Sequence, residues 1–247
     1  MSTGHSGKSA AARSRAWAEK AGHEMMDASA TDVLAWAFAE FGSGLAVASS
    51  MADAVLPHLA SQVFADTVPA EQQGGGPHIL FLDTGYHFAE TLATRDEVAR
   101  RLPVTVRSIT PRLSVADQDL VHGQDLFNTD PGACCHMRKV EPLSRALRGY
   151  RAWASGLRRS DSPSRADTPL VSWDPRHQLV KINPIAAWSD EQVEAYIAEH
   201  DVPVNPLLKQ GYTSIGCGPC TLRPLFGADP RSGRWAGTTK TECGLHP

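Results

Sequence analysis

The sequence predicts an α/β fold, a mainly parallel sheet flanked by helices, that ends in an irregular segment rich in glycine and proline. Three observations point to it. Short apolar runs at Leu45–Ala48 and His78–Leu82 read as strands buried on both faces. Helix-period patterns lie beside them: Val33, Leu34, Ala37, Phe38 and Phe41 before the first, stopped by Gly42, and further helices from Asp53 and from Gly85 through Arg101. Strand and helix in alternation imply right-handed crossovers and parallel neighbours.

The remaining elements follow in order. Residues 1–12 are small and polar and are expected to be disordered. Within them Gly7-Lys8-Ser9 imitates a phosphate-binding loop, but that motif needs a glycine where Ser2 stands and a strand for which there is no room. Residues 104–109 form a third strand, 131–135 lead into a helix that runs to about Leu147, and Ala152–Ser155 form a further strand. A polar, arginine-bearing loop covers 156–169, then 170–173 and 179–185 pair as a hairpin. Ser189 begins a helix to His200, with Gln192 completing a capping box. Residues 201–247 are irregular.

A net charge of −3 with 42% hydrophobic residues describes an ordinary globular chain. It argues against nucleic acid as the main partner, because such binders carry a basic excess. Arginines grouped at Arg158, Arg159 and Arg165, and at Arg223, Arg231 and Arg234, suit a small anionic ligand instead. No apolar run approaches the roughly 20 residues of a membrane span, and the N-terminus lacks a signal-peptide core. A cytoplasmic protein without a membrane partner is expected. In that compartment five cysteines read as metal ligands or catalytic thiols rather than as a disulfide framework.

The cysteines divide as Cys134-Cys135, Cys217-Gly218-Pro219-Cys220, and Cys243 alone. Two pairs can bring together four thiolates, enough for a [4Fe–4S] cluster or a structural zinc. Adjacency of Cys134 and Cys135 disfavours zinc, whose cysteine knuckles normally have two to four intervening residues. The Cys-Gly-Pro-Cys segment could also be a redox dithiol, but that fold needs a strand before the motif and most of a sheet after it.

Taken together, the motifs Leu82-Asp83-Thr84-Gly85, Cys134-Cys135-His136-Met137-Arg138-Lys139, Trp153-Ala154-Ser155-Gly156, Cys217-Gly218-Pro219-Cys220 and Glu242-Cys243-Gly244-Leu245-His246 resemble the assimilatory adenylyl-sulfate reductases, the iron–sulfur branch of the sulfonucleotide reductases. The resemblance spans roughly residues 30–247. It implies an adenine nucleotide alpha hydrolase-like fold, with a reductase domain over 13–230 and a mobile C-terminal segment over 231–247. It also implies reduction of adenylyl sulfate to sulfite and AMP with electrons from thioredoxin. Cys134, Cys135, Cys217 and Cys220 would hold [4Fe–4S], and Cys243 would be the nucleophile. Ser49 and Ser50 would form a modified phosphate loop, and Leu82 and Gly156 would line the adenosine pocket through their backbones. Arg165 would lie near the nucleotide, and Lys139, Arg231 and Arg234 near the phosphosulfate. His136 and His246 are the histidines placed to affect this chemistry.

The implied reaction is covalent catalysis: a thiolate attacks the sulfuryl group and AMP leaves. A nearby Lys or Arg would favour that thiolate, and Glu242 would oppose it. Three other readings remain open at this stage. One is a reductase of 3′-phosphoadenylyl sulfate, although the branch with that substrate and no cluster lacks the two cysteine pairs. The others are an ATP-dependent adenylating enzyme with a metal site, and a non-enzymatic zinc module.

Overall fold

Strands β1 (Leu45–Ala48), β2 (His78–Leu82), β3 (Thr105–Ile109), β4 (Ala152–Ser155), β5 (Val171–Asp174) and β6 (Leu179–Ile182) join in one sheet, ordered β3-β2-β1-β4-β6-β5, in a computed structural model that describes residues 4–225, 227–238 and 240–246, with side chains from residue 12 onward. All neighbours run parallel except β5 and β6, the expected hairpin. Side chains alternate between two covered faces. Leu45, Val47, Ile79, Phe81, Ala152 and Ala154 enter one core with helices α1 (Gly4–Glu24), α2 (Ala30–Phe41), α3 (Val55–Thr67) and α4 (Ala89–Arg101). Ala46, Leu80 and Trp153 enter the other, against Leu143 and Leu147. Burial on both sides is why these strands read as continuous apolar runs.

Between β3 and β4 lie α5 (Val115–His122) and a longer helical run, α6, over residues 131–147. Pro131 starts α6, and the Asp130 side chain accepts from the Ala133 N–H. Its middle, His136–Val140, is a wider π-helical turn, a local deviation frequent at functional sites. Helix α7 (Asp190–His200) carries the expected reciprocal cap between Ser189 and Gln192.

Strand order reverses at β1. The chain steps outward through β2 and β3, then returns to place β4 on the other side of β1. Ala48 at the end of β1 is in register with Ser155 at the end of β4. The segments leaving these strands therefore emerge side by side and diverge, opening the crevice in which open α/β sheets bind ligands.

One sequence expectation changes. Residues 4–12 were expected to be disordered but belong to α1, while residues 1–3 lie outside the described residues. Small residues favour helix as readily as disorder, and tertiary contact decides: Ala18 and Ala21 pack in the core beside Val171 of β5. Gly7-Lys8-Ser9 thus lies within a helix rather than in a strand-to-helix loop. Described residues of the segment 231–247, expected to be mobile, make the contacts given below. Among the described residues no helix is long and apolar enough to cross a membrane.

Helix α1 comes close to the sheet at Gly22, where an added Cβ would lie 2.5 Å from the Val171 carbonyl oxygen. Gly22→Ala should force the helix outward and destabilise the protein by about 1–3 kcal/mol. Chemical denaturation measures the loss, and hydrogen exchange should show faster opening concentrated in α1 and β5.

Candidate active site

The start of α6 puts Cys134 and Cys135 on successive backbone positions, both buried. The basic residues one turn later act on them in order: the charge of Arg138 reaches Cys134 and that of Lys139 reaches Cys135. Opposite them, the loop after β2 holds the second pair. Gly218 N–H donates to the Tyr86 carbonyl at 2.7 Å, His87 and Cys217 form an isolated antiparallel bridge, and Thr84 Oγ1 lies 3.3 Å from Cys217 Sγ. Cys134, Cys135, Cys217 and Cys220 consequently line one small cavity with Tyr86, Phe127 and Trp235.

Arg138 braces this arrangement. Its guanidinium donates to Gln118 Oε1 (2.7 Å), the Thr84 carbonyl (2.9 Å) and the Ser114 carbonyl (2.9 Å), and it lies over the Tyr86 ring. With its donors so engaged, Arg138 ties α5, α6 and the loop after β2 together.

Burial and the neighbouring thiols push Cys134 up to about 12 and Cys220 up to about 11. Holding all four cysteines as thiolates would take a cationic group beside them. Among the described residues no three His, Cys, Asp or Glu side chains gather closely enough to hold a single ion. The four cysteines line one cavity, and by residue type they could act as ligands to a metal group held there.

A second and larger cavity, of about 560 Å³, opens at the β1/β4 crevice. Ser50 and Gly156 supply its floor from the two diverging loops, and Lys139, Arg158, Arg165, Arg231 and Arg234 supply positive charge. Cys243 lies on its wall with His246. Lys139 faces both cavities. Burial works against the Lys139 charge, but the Cys217 and Cys243 thiols more than offset it and raise its pKa. Arg234 is lowered, first by burial and then by Arg231. It packs so tightly on Gly216 that a Cβ there would fall 2.1 Å from Nη2.

The expected substrate residues Ser50, Lys139, Gly156, Arg165, Arg231 and Arg234 thus converge on one cavity with Cys243. Ser49 and Leu82 are not among the residues lining that cavity. Ser49 Oγ accepts the Met51 N–H at 3.2 Å, and the Leu82 carbonyl accepts from His87 Nε2 at 2.8 Å. His136 does not appear on either cavity wall. Arg158 was seen in the sequence only as part of a basic group, yet it reaches the wall while pairing with Asp161 and Asp190.

One contact had no signal in the sequence. The Glu242 carboxylate accepts two hydrogen bonds from Arg165, at 3.2 and 3.0 Å, and one from Arg231 at 3.0 Å. The residue next to Cys243 therefore sits as an internal anion on two of the arginines expected to bind an external one.

A cavity at the reversal point of a mostly parallel sheet, walled by cationic side chains, defines this as an α/β protein of the nucleotide-binding class. The FMN adenylyltransferase of Candida glabrata shares the fold at a TM-score of 0.55 and 12% identity, over 82% of this chain and 69% of that one. The crystal structure of phosphoadenylyl-sulfate reductase from Candida auris, a phosphate complex, is more similar: TM-score 0.67 and 26% identity, over 83% of this chain and 96% of that one. The chain belongs to the phosphoadenosine phosphosulfate reductase family, whose domain model matches residues 44–223. The proteins named adenosine 5′-phosphosulfate reductase from Mycolicibacterium smegmatis and Streptomyces coelicolor are each 53% identical to it over 94% of both chains.

If Glu242 occupies an anion site, removing its charge should improve binding of a small anion. A charge-assisted contact contributes about 1 kcal/mol here after allowance for solvent. Glu242→Gln should therefore bind inorganic phosphate roughly fivefold more tightly, as measured by calorimetry. Weaker phosphate binding would mean that Glu242 organises the arginines rather than competing for them.

Proposed function

We propose that this chain is an adenylyl-sulfate reductase of sulfate assimilation, in which Cys243 attacks the substrate sulfur and thioredoxin supplies the electrons. The observation that carries the reading is the position of Cys243 on the same wall as Lys139, Arg231 and Arg234. A nucleophile is useful only where its electrophile is held, and a cationic cavity at the sheet crevice suits a phosphosulfate.

The adenosine end would enter between the diverging loops at Ser50 and Gly156, leaving the phosphosulfate among the arginines. Cys243 Sγ, as thiolate, forms a bond to the sulfuryl sulfur. The bond from that sulfur to the phosphate oxygen breaks, and AMP leaves with its electron pair. The product on the enzyme is an S-sulfocysteine. A thiolate of reduced thioredoxin then attacks Cys243 Sγ, and sulfite departs with the S–S bonding pair. The second thioredoxin thiol resolves the mixed disulfide, which restores Cys243 and leaves thioredoxin oxidised. Two electrons pass from the dithiol to sulfur. Such thiol chemistry suits the reducing cytoplasm.

Cys134, Cys135, Cys217 and Cys220 would hold a [4Fe–4S] cluster, which when bound supplies a rigid, negatively charged neighbour to Lys139. The chain's own part is to keep the Lys139 ammonium between that site and the substrate cavity. The crystal structure related at 26% identity is of an enzyme named for the 3′-phosphorylated substrate, whereas the 53% relatives are named for adenylyl sulfate. The two cysteine pairs and the higher identity both favour the latter.

Anaerobically purified protein should be brown. Cys217→Ser should bleach it, because thiolate is the ligand this centre prefers and the buried Cys217 position leaves little room for a substitute. Absorption and iron analysis read the outcome, and full iron content would remove Cys217 from the ligand set.

Cys243→Ser should keep the colour and still bind AMP, yet lose turnover by about a thousandfold or more, since a hydroxyl is a poor nucleophile at neutral pH. Incubation of the unsubstituted protein with adenylyl sulfate alone should add one sulfite mass to the peptide containing Cys243. Reduced thioredoxin should then remove it. An adduct on another cysteine, or full turnover by the serine variant, would defeat the reading.

A further inference from the structure

The residues that follow Cys243 are held by a part of the protein outside the anion cavity. Gly244 takes a φ of +78°, in the left-handed region open to glycine, so the chain turns directly after the thiol. The Gly244 carbonyl accepts a hydrogen bond from Arg176 Nη1. Leu245 packs against the apolar cluster of Ala46, Leu80, Leu143, Leu147 and Trp153. The His246 ring stacks on Trp153, with centroids 5.6 Å apart and planes 9° from parallel.

The receiving surface is rigid for an identifiable reason. Asp174 is fully buried at the end of β5. Its Oδ2 accepts the Trp153 indole N–H at 3.0 Å and lies 2.6 Å from His177 Nδ1. Its Oδ1 accepts the backbone N–H groups of Arg176 and His177 at 2.9 and 3.1 Å. One carboxylate therefore fixes both the indole and the turn that carries Arg176. Lys181 Nζ lies 3.0 Å from the Trp153 ring centroid and donates to Ser155 Oγ at 2.7 Å, which further confines the indole.

We propose that Trp153 and Arg176, held together by Asp174, form a dock for the C-terminal segment that positions Cys243 for attack. The proposal rests on Cys243 being the nucleophile. The two contacts flanking the thiol differ in kind. Glu242 holds arginines that a bound anion would claim, so substrate can displace it. Trp153 and Arg176 are not on the cavity wall, so substrate has no claim on them. The dock keeps hold of the segment while Glu242 yields, and the thiol stays within reach of sulfur. Trp153 and Arg176 are positioning residues, and neither touches the reacting atoms.

The test uses the cluster-loaded full chain and measures kcat and KM for adenylyl sulfate, AMP affinity, and hydrogen exchange of the peptide over residues 240–246. Arg176→Ala should lower kcat about tenfold, because a small misplacement of a reacting group is costly. KM and AMP affinity should stay within about twofold, and amide exchange in the peptide should quicken about tenfold. Arg176→Lys, which can still donate to the Gly244 carbonyl, should recover part of both effects. Trp153→Leu should act in the same direction. Because Trp153 is buried and its variant could fail to fold, the exposed Arg176 carries the test by itself.

Wild-type kcat and exchange in Arg176→Ala would overturn the dock. So would a rise in KM matched by weaker AMP binding at unchanged kcat, which would place Arg176 in the substrate site. Turnover by Cys243→Ser would overturn the positioning role along with the nucleophile reading. The exchange measurement would still report whether the dock exists, so the two claims fail separately.

Discussion

Burying an ammonium is costly unless opposite charge is buried with it, and Lys139, buried between the two cavities, meets this condition where the cysteines beside it are ionised. The thiol of Cys217 acts on it from the cysteine cavity and that of Cys243 from the anion cavity, while Arg234 opposes them. This shared electrostatic partner links regions far apart in the chain: α6, the loop after Ile215, and the C-terminal segment. The cysteine-lined cavity and the arginine-lined cavity are thus best regarded as one electrostatic unit with a lysine at its centre.

The sheet supplies the geometry for that unit. Because β1 and β4 are in register at Ala48 and Ser155, their outgoing loops begin at the same height and part in opposite directions. The π-helical turn in α6 then carries Lys139 from the cysteines toward the opening. Arg138, one residue earlier, makes contacts of a wholly different kind: it bonds to Gln118 and to two backbone carbonyls, and holds secondary structure in place. Neighbouring basic residues thus divide between bracing and function, and only their surroundings distinguish them.

The parts legible in the sequence were those governed by local pattern. Apolar runs marked the strands, Ser189 with Gln192 marked a helix start, and cysteine spacing separated Cys243 from the paired thiols. What escaped was decided by contacts between distant residues. Nothing near Arg165 announces that Glu242, 77 positions later, will take two of its donors. Trp153 was visible within a motif, but its role as a platform depends on Asp174 from a different strand. The hydrogen bonds of the Ser49 hydroxyl to the Met51 N–H and of the Leu82 carbonyl to His87 were likewise outside what the sequence pattern could show. The first helix was missed because a run of small residues does not reveal the surface that will receive it.

That helix bears on how the molecule coexists with its own copies. β5 ends the sheet on one side, and an open strand edge invites pairing with another chain. Helix α1 lies against β5, with Ala18 and Ala21 in its core and Gly22 close to the Val171 carbonyl. At the opposite end, β3 carries the charged Arg107 and polar Thr105 and Ser108 along its short length. One border is guarded by a covering helix and the other by polarity. The Gly4–Glu24 segment, remote from the two cavities, thus covers the strand whose open edge would otherwise face solvent.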